Sequence, residues 1–269
     1  MLQKKHPDGP EFIAMATVLM ATIALSIDVM LPALGEMASE FGVESNQRQL
    51  VIVALFVGLA AGQLVFGPMS DSIGRRPAIT IGAVLFAVGG LICAMATTFE
   101  TLLAGRLLQG FGAAGPRIVT VALIRDRFEG ARMARVMSII MGIFIMVPVL
   151  APSLGQALLL LMPWRGLFTL LSVICVCGAL WLLARQPETI LEKRSFRMRS
   201  FLASFFEVLA DRRAIAFTLA GGLCYGALMG YINSSQQLFQ ETYEVGALYA
   251  VLFGFAALFI SGATLTTAR

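Results

Sequence analysis

Three ionisable residues stand inside long apolar runs of this sequence, Asp28, Arg106 and Arg117. Such residues are expensive in hydrocarbon, about 2.5–3.5 kcal/mol for a central Asp or Arg on insertion scales, and where they persist they mark ion pathways, proton relays or ligand contacts. A carboxylate placed there has one chemistry open to it, which is to take up and release a proton or to hold a cation. Arg106 and Arg117 supply fixed positive charge. They are eleven residues apart, about three helical turns, so both project from one face.

Each has a plainer reading. Asp28 and Arg106 also fit a static ion pair that fixes packing. Arg117 either lines the inner half of a cavity or snorkels toward the cytoplasm. Gln63 and Gln109, with Tyr225, Tyr231 and Asn233 further along, either line a cavity or bond helix to helix.

The elements that hold these residues follow from composition. Hydrophobic residues make up 58% of the 269 and charged ones 13%, against roughly 45–50% and 25% in soluble domains. They run in stretches long enough to cross a ~30 Å hydrocarbon layer, which takes roughly 20 helical residues. Eight spans are expected: Phe12 to Leu34, Leu50 to Met69, Pro77 to Ala96, Leu102 to Ile124, Val136 to Leu161, Leu167 to Leu183, Ala214 to Leu238 and Val245 to Thr264. The first carries no convincing small-residue cleavage site, so it is read as a retained span. Small residues at spacing four, Gly58 and Gly62, then Gly222, Gly226 and Gly230, predict close helix packing.

The loops alternate in basic content. Lys4, Lys5, Arg75, Arg76, Arg125, Arg127, Arg132, Arg135, Arg185 and the 193–199 cluster fall on one side, while Arg48 and Arg165 share the other with Glu36, Glu40, Glu44, Glu100, Glu241 and Glu244. By the positive-inside rule the first side is cytoplasmic, and so are both termini. The formal charge of +4 is explained by this topology, and nucleic-acid binding is excluded. The basic stretch before the seventh span is read as a solvated linker or an anionic-lipid contact. Cysteine labelling checks the orientation: probes at Glu40 and Arg199 are expected on opposite faces, and finding them on the same face would refute it.

Depth brings Asp28 and Arg106 to one level. Counted from the expected span ends, both lie roughly 6 to 9 Å below the outer edge. They are expected to meet if their helices touch. The cysteines Cys93, Cys175, Cys177 and Cys224 lie in apolar runs and read as packing. His6 is the sole histidine, and no metal-ligand or catalytic constellation is seen. No enzyme activity, metal or cofactor is expected.

The strongest local pattern is the turn Gly67-Pro68-Met69-Ser70-Asp71-Ser72-Ile73-Gly74-Arg75-Arg76-Pro77. Glycines permit a tight reversal, arginines hold it in the cytoplasm, and Asp71 can accept from a helix amino terminus. The fourth span holds Gly110, Gly112, Gly115 and Pro116, and the fifth Pro148, Pro152 and Gly155. Broken helices often mark the binding region of transporters built from repeats.

The turn resembles the signature of the major facilitator superfamily, matched by Gly67, Asp71, Gly74, Arg75 and Arg76. Arg106, Gln109, Gly110, Gly112, Ala113 and Ala114 are similar to a pattern of drug-proton antiporters. The fifth-helix antiporter pattern is matched in part, by Pro152 and Gly155, with Ala151 and Gln156 where glycines are usual. The stretch Asp28 to Leu34, Arg125-Asp126 and Trp164-Arg165 resemble the Bcr/CflA multidrug group.

The resemblance implies an all-α membrane protein of the major facilitator fold, with a complete six-helix half (1–183), a cytoplasmic linker (184–213) and two helices of an incomplete second half (214–269). It implies proton-coupled efflux of drugs or other small amphipathic compounds by alternating access, across a bacterial inner membrane, by a protein that is monomeric when complete. The alternatives are a metabolite transporter of the same fold or a truncated fragment inactive by itself. Asp126 is expected to pair with the turn's arginines at a cytoplasmic gate, and Asp71 to cap a helix of the second half. Asp28 is the expected proton-coupling or cation-binding carboxylate, with Arg106 beside it. The short second half reads as a truncated frame or partial sequence.

Overall fold

Proline sets the shape of the first element. Pro32 has no N–H to give the carbonyl four residues back, that of Asp28, and its ring crowds that oxygen. In the computed structural model, which describes residues 9–44, 46–190 and 205–237, α1 (Gly9–Asp28) accordingly stops at Asp28. A turn and a short 3₁₀ segment, Leu31–Ala33, lead into α2 (Leu34–Phe41). The sequence predicts one unbroken span here, and the structure interrupts it one residue after its only acid.

The later elements are α3 (Leu50–Ile73), α4 (Arg75–Ala94), α5 (Phe99–Arg127), α6 (Gly130–Leu159), α7 (Trp164–Arg185) and α8 (Arg212–Gln237). No strand occurs among the described residues. The helices outlast the apolar runs because a bilayer continues past its ~30 Å core into polar headgroup layers, where helix ends carry polar caps. Thr98 shows this at the start of α5, its side chain accepting from Thr101 N at 3.2 Å. Five helical segments among the described residues are long and apolar enough to cross a membrane: Gly9–Phe41, Gln47–Ile73, Arg75–Ala94, Phe99–Arg127 and Trp164–Arg185. The expected eighth span, Val245 to Thr264, lies outside the described residues.

The chain divides into two compact units, the first carrying α1 to α7 and the second α8. In the first, α5 is the central helix, packed between α3 and α4, while α7 lies on α4 and α1, and α6 on α1 and the 3₁₀ turn. Backbone-to-backbone approach makes this possible. A methyl group at Gly58 or Gly62 would overlap the Leu107 or Phe111 carbonyl of α5, and one at Gly82 would overlap Gly115. The bundle therefore gains van der Waals contact and not hydrophobic drive, as expected in lipid. Val53, Val57, Val84, Leu91 and Leu180 are exposed on the outer faces, which suits helices solvated by acyl chains. In α8, by contrast, no described atom lies within 4 Å of the Cβ position at Gly222, Gly226 or Gly230. The close approach expected of that stripe is not seen among the described residues.

Candidate functional site: a buried polar node, a charged turn and the cavity beside it

Asp28 ends α1 with only 3% of its surface exposed. No described residue gives its carboxylate a hydrogen bond or an ion pair. Arg106 does not pair with it, contrary to the depth argument. The Arg106 guanidinium is fully buried and spends its donors on oxygens that carry no formal charge: Nε gives to Val51 O at 3.1 Å, and Nη1 gives to Ser26 O at 3.1 Å and Gln109 Oε1 at 2.9 Å. The physical reason is the helix break. Ending α1 at Asp28 leaves the Ser26 carbonyl available to α5, two residues short of the acid. Phe168 of α7 covers the guanidinium at 5.4 Å, so Arg106 ties α1, α3 and α7 to the central helix.

Gln109, expected as a cavity residue, is fully buried and serves as the acceptor for Arg106. Arg106 Nη2 and Gln109 Nε2 remain without partners among the described atoms. From the other side α6 seats Gly155 on the loop after Asp28: a methyl there would overlap the Val29 carbonyl and lie 3.2 Å from Pro32 Cγ. Gly155 thus lets α6 close directly over the break in α1. Pro152 lies in α6 with Gly155; of Pro148 only the helical backbone is described.

The charged turn forms the second group. Gly74 adopts φ 110°, a value that favours glycine, and the chain reverses there from α3 into α4. Arg75, the first residue of α4, then reaches back to both α3 and α5. Its Nη1 gives to Asp71 Oδ1 at 2.6 Å and Ser70 Oγ at 2.7 Å, and its Nε gives to Asp126 Oδ2 of α5 at 3.0 Å. Arg76 Nη2 bonds instead to Leu183 O of α7 at 2.6 Å. The helix amino terminus at this turn is held by Glu188, not by Asp71: Arg75 N and Arg76 N donate to the two Glu188 oxygens at 2.9 and 3.0 Å. Asp71 sits one turn before Arg75, still in α3, so it meets the arginine side chain while the reversal aims the α4 amides at the chain leaving α7. Thr189 completes the cluster, giving to Asp126 Oδ2 at 2.7 Å.

A cavity of about 340 Å³ opens beside the turn, between α3 and α5. Its walls include Gln63, Gly67 and Asp71 from α3, and Arg117, Val121, Arg125 and Asp126 from α5, with Arg75 at the turn. Gln63 and Arg117 therefore share one space with the gate-motif residues, whereas Arg106 and Gln109 form a separate bonded node and Asp28 stands outside both. Arg117 lies over the Phe144 ring of α6 at 5.4 Å. Tyr225, Tyr231 and Asn233 fall on α8, but their side chains lie outside the described residues.

The family model of the Major Facilitator Superfamily matches residues 16–269. The chain belongs to this superfamily. Among curated relatives, an uncharacterised MFS-type transporter of Bacillus subtilis, YdgK, is 34% identical over 95% of this chain and 65% of its own length. The multidrug resistance protein MdtL of Salmonella heidelberg is 30% identical over 86% of this chain and 58% of its own. The chain thus spans about three-fifths of these relatives. The crystal structure of the human organic anion transporter MFSD10 matches with a TM-score of 0.64 at 19% identity, covering 95% of this chain and 71% of that one. A D-xylose-proton symporter matches with a TM-score of 0.63 at 14% identity, covering 95% of this chain and 66% of that one. At these identities the two structures share the superfamily fold.

Two functional-looking groups escape sequence reasoning. Glu188 falls in the stretch read as a linker, where it and Glu192 precede the basic cluster and nothing in the spacing singles it out. At the opposite end of the bundle, Glu40 of α2 accepts from Trp164 Nε1 and Arg165 Nη1, both at 2.8 Å, and Arg165 Nη2 gives to Ala96 O at 2.9 Å. This clamp joins α2, α7 and the loop that follows α4. Replacing Glu188 by Ala is expected to cost about 1 kcal/mol, the size of a lost helix cap, and to lower the thermal unfolding midpoint of detergent-purified protein. Glu188→Gln should retain part of it, and an unchanged midpoint in both would show that the cap does not hold α4.

Proposed function

We propose that the complete protein exports drugs or other small amphipathic compounds across the bacterial inner membrane by alternating access, in exchange for protons carried by Asp28. The observation that carries this reading is the placement of Asp28. It is the acid buried at a helix break, with no partner among the described residues and with Gly155 of α6 closing over the next peptide. A buried carboxylate with no fixed counter-ion is held only if it changes protonation or faces a changing cavity. The name of MdtL supports the drug class, at 30% identity.

The reading comes with a division into a six-helix half at 1–183, a cytoplasmic linker at 184–213 and a second half that begins at 214. Both termini are cytoplasmic, and the complete protein works as a monomer. On it, Arg75, Asp71 and Asp126 form the cytoplasmic gate. Everted membrane vesicles holding the complete protein test it. Ethidium uptake should follow an imposed proton gradient and collapse with nigericin. Uptake that survives nigericin, or that is absent with every amphipathic dye tried, would overturn the antiport reading.

A further inference from the structure

The cavity between α3 and α5 holds more positive charge than its own hydrogen bonds use. Its walls carry Arg75, Arg117 and Arg125 against Asp71 and Asp126. Both carboxylates are engaged by Arg75, and Asp126 also accepts from Thr189. Arg117 and Arg125 donate to no described residue. Arg117 lies ten residues before the end of α5, roughly 15 Å along the helix. Its one described contact is the Phe144 ring at 5.4 Å, and a guanidinium with no acceptor at that depth is tolerated facing a wet cavity, where it marks a ligand path by default.

The wall has an order. Positions 117, 121 and 125 recur every four residues and share one face of α5, giving a cation inside, an apolar Val121 between and a second cation nearer the helix end. Ile118 and Ala122 extend the apolar strip. Across the space Gln63 offers an amide, and Gly67 leaves room, since a Cβ there would meet no atom within 4 Å. The volume, about 340 Å³, falls in the range of small-molecule sites, about 300–1,000 Å³.

We propose that this cavity binds the acidic group of an amphipathic organic anion. Arg117 holds a carboxylate or sulfonate at the inner end through paired N–H bonds, Ile118, Val121 and Ala122 cover the apolar body, and Arg125 attracts the anion at the mouth. Guanidinium suits this because its planar fork matches two oxygens and it stays charged. The proposal deepens the export reading and rests on it, since it names acids as a substrate class of that transporter.

Equilibrium dialysis of naphthalene-2-sulfonate against the full chain in phosphatidylcholine nanodiscs tests it. The sulfonate should bind at least about tenfold more tightly than the uncharged naphthalene-2-sulfonamide, the gain expected of charge-assisted bonds. Arg117→Gln should weaken sulfonate binding about tenfold, Arg117→Lys less, and Arg125→Gln a few-fold in a manner that salt removes. Equal binding of sulfonate and sulfonamide overturns the proposal, and that comparison needs no variant to fold. Displacement by inorganic phosphate at similar concentration would reduce the cavity to a plain anion site. Displacement when phosphatidylglycerol replaces part of the phosphatidylcholine would assign it to a lipid headgroup. Either result overturns the organic-acid proposal. No gradient enters the assay, so a failure of proton coupling leaves its outcome unchanged, and binding without coupling counts against Asp28 alone.

Discussion

Asp28→Asn is expected to leave the complete transporter in the membrane at its usual level while export of ethidium against a proton gradient falls to that of vesicles without the protein. Asparagine keeps the shape of the side chain and its hydrogen-bonding capacity but cannot titrate. It therefore separates proton transfer from packing. The structure sharpens the comparison with Arg106, which bonds to Ser26 O, Val51 O and Gln109 and not to the acid. Arg106→Ala should act on the fold, because each acceptor left dry costs about 1–3 kcal/mol. The two changes then part company: Asp28→Asn keeps thermal stability and loses transport, and Arg106→Ala loses both. Equal loss of stability in the two variants would mean that Asp28 is a packing residue.

The second large effect belongs to the charged turn. Charge reversal at Arg75 or at Asp126 should reduce export to below about a tenth, because each places like charges where a 3.0 Å bond now joins α4 to α5. The double swap should recover several-fold, a coupling of about 1 kcal/mol. Recovery is incomplete because Arg75 also serves Asp71 and Ser70, which an aspartate cannot do. Additive losses would remove direct coupling between the two residues.

What the sequence makes legible is what one dimension encodes. Apolar runs place the helices, because length against bilayer thickness needs no partner. Gly58 and Gly62 announce a close contact, since only a small residue suits it, and α5 fills that contact. The Arg75 bond to Asp126 comes from the resemblance and not from spacing. Depth arithmetic fails for Asp28 and Arg106 because height along two helices says nothing of rotation about them. The break that decides the matter had a visible signal in Pro32, whose missing N–H points to the Asp28 carbonyl. Gln109, three residues after Arg106 and so on the same helix face, was equally readable as its acceptor. Glu188 and the Glu40 clamp were not readable, as their partners lie 113 and 124 residues away in sequence and meet only when α7 closes the bundle.

Proton release decides whether Asp28 carries the coupling. Complete transporter solubilised in detergent, in weakly buffered medium with a pH indicator, should release protons when ethidium is added, and the Asp28→Asn protein should release none while remaining folded. Undiminished release from the folded Asn variant would contradict the assignment and move the coupling site elsewhere.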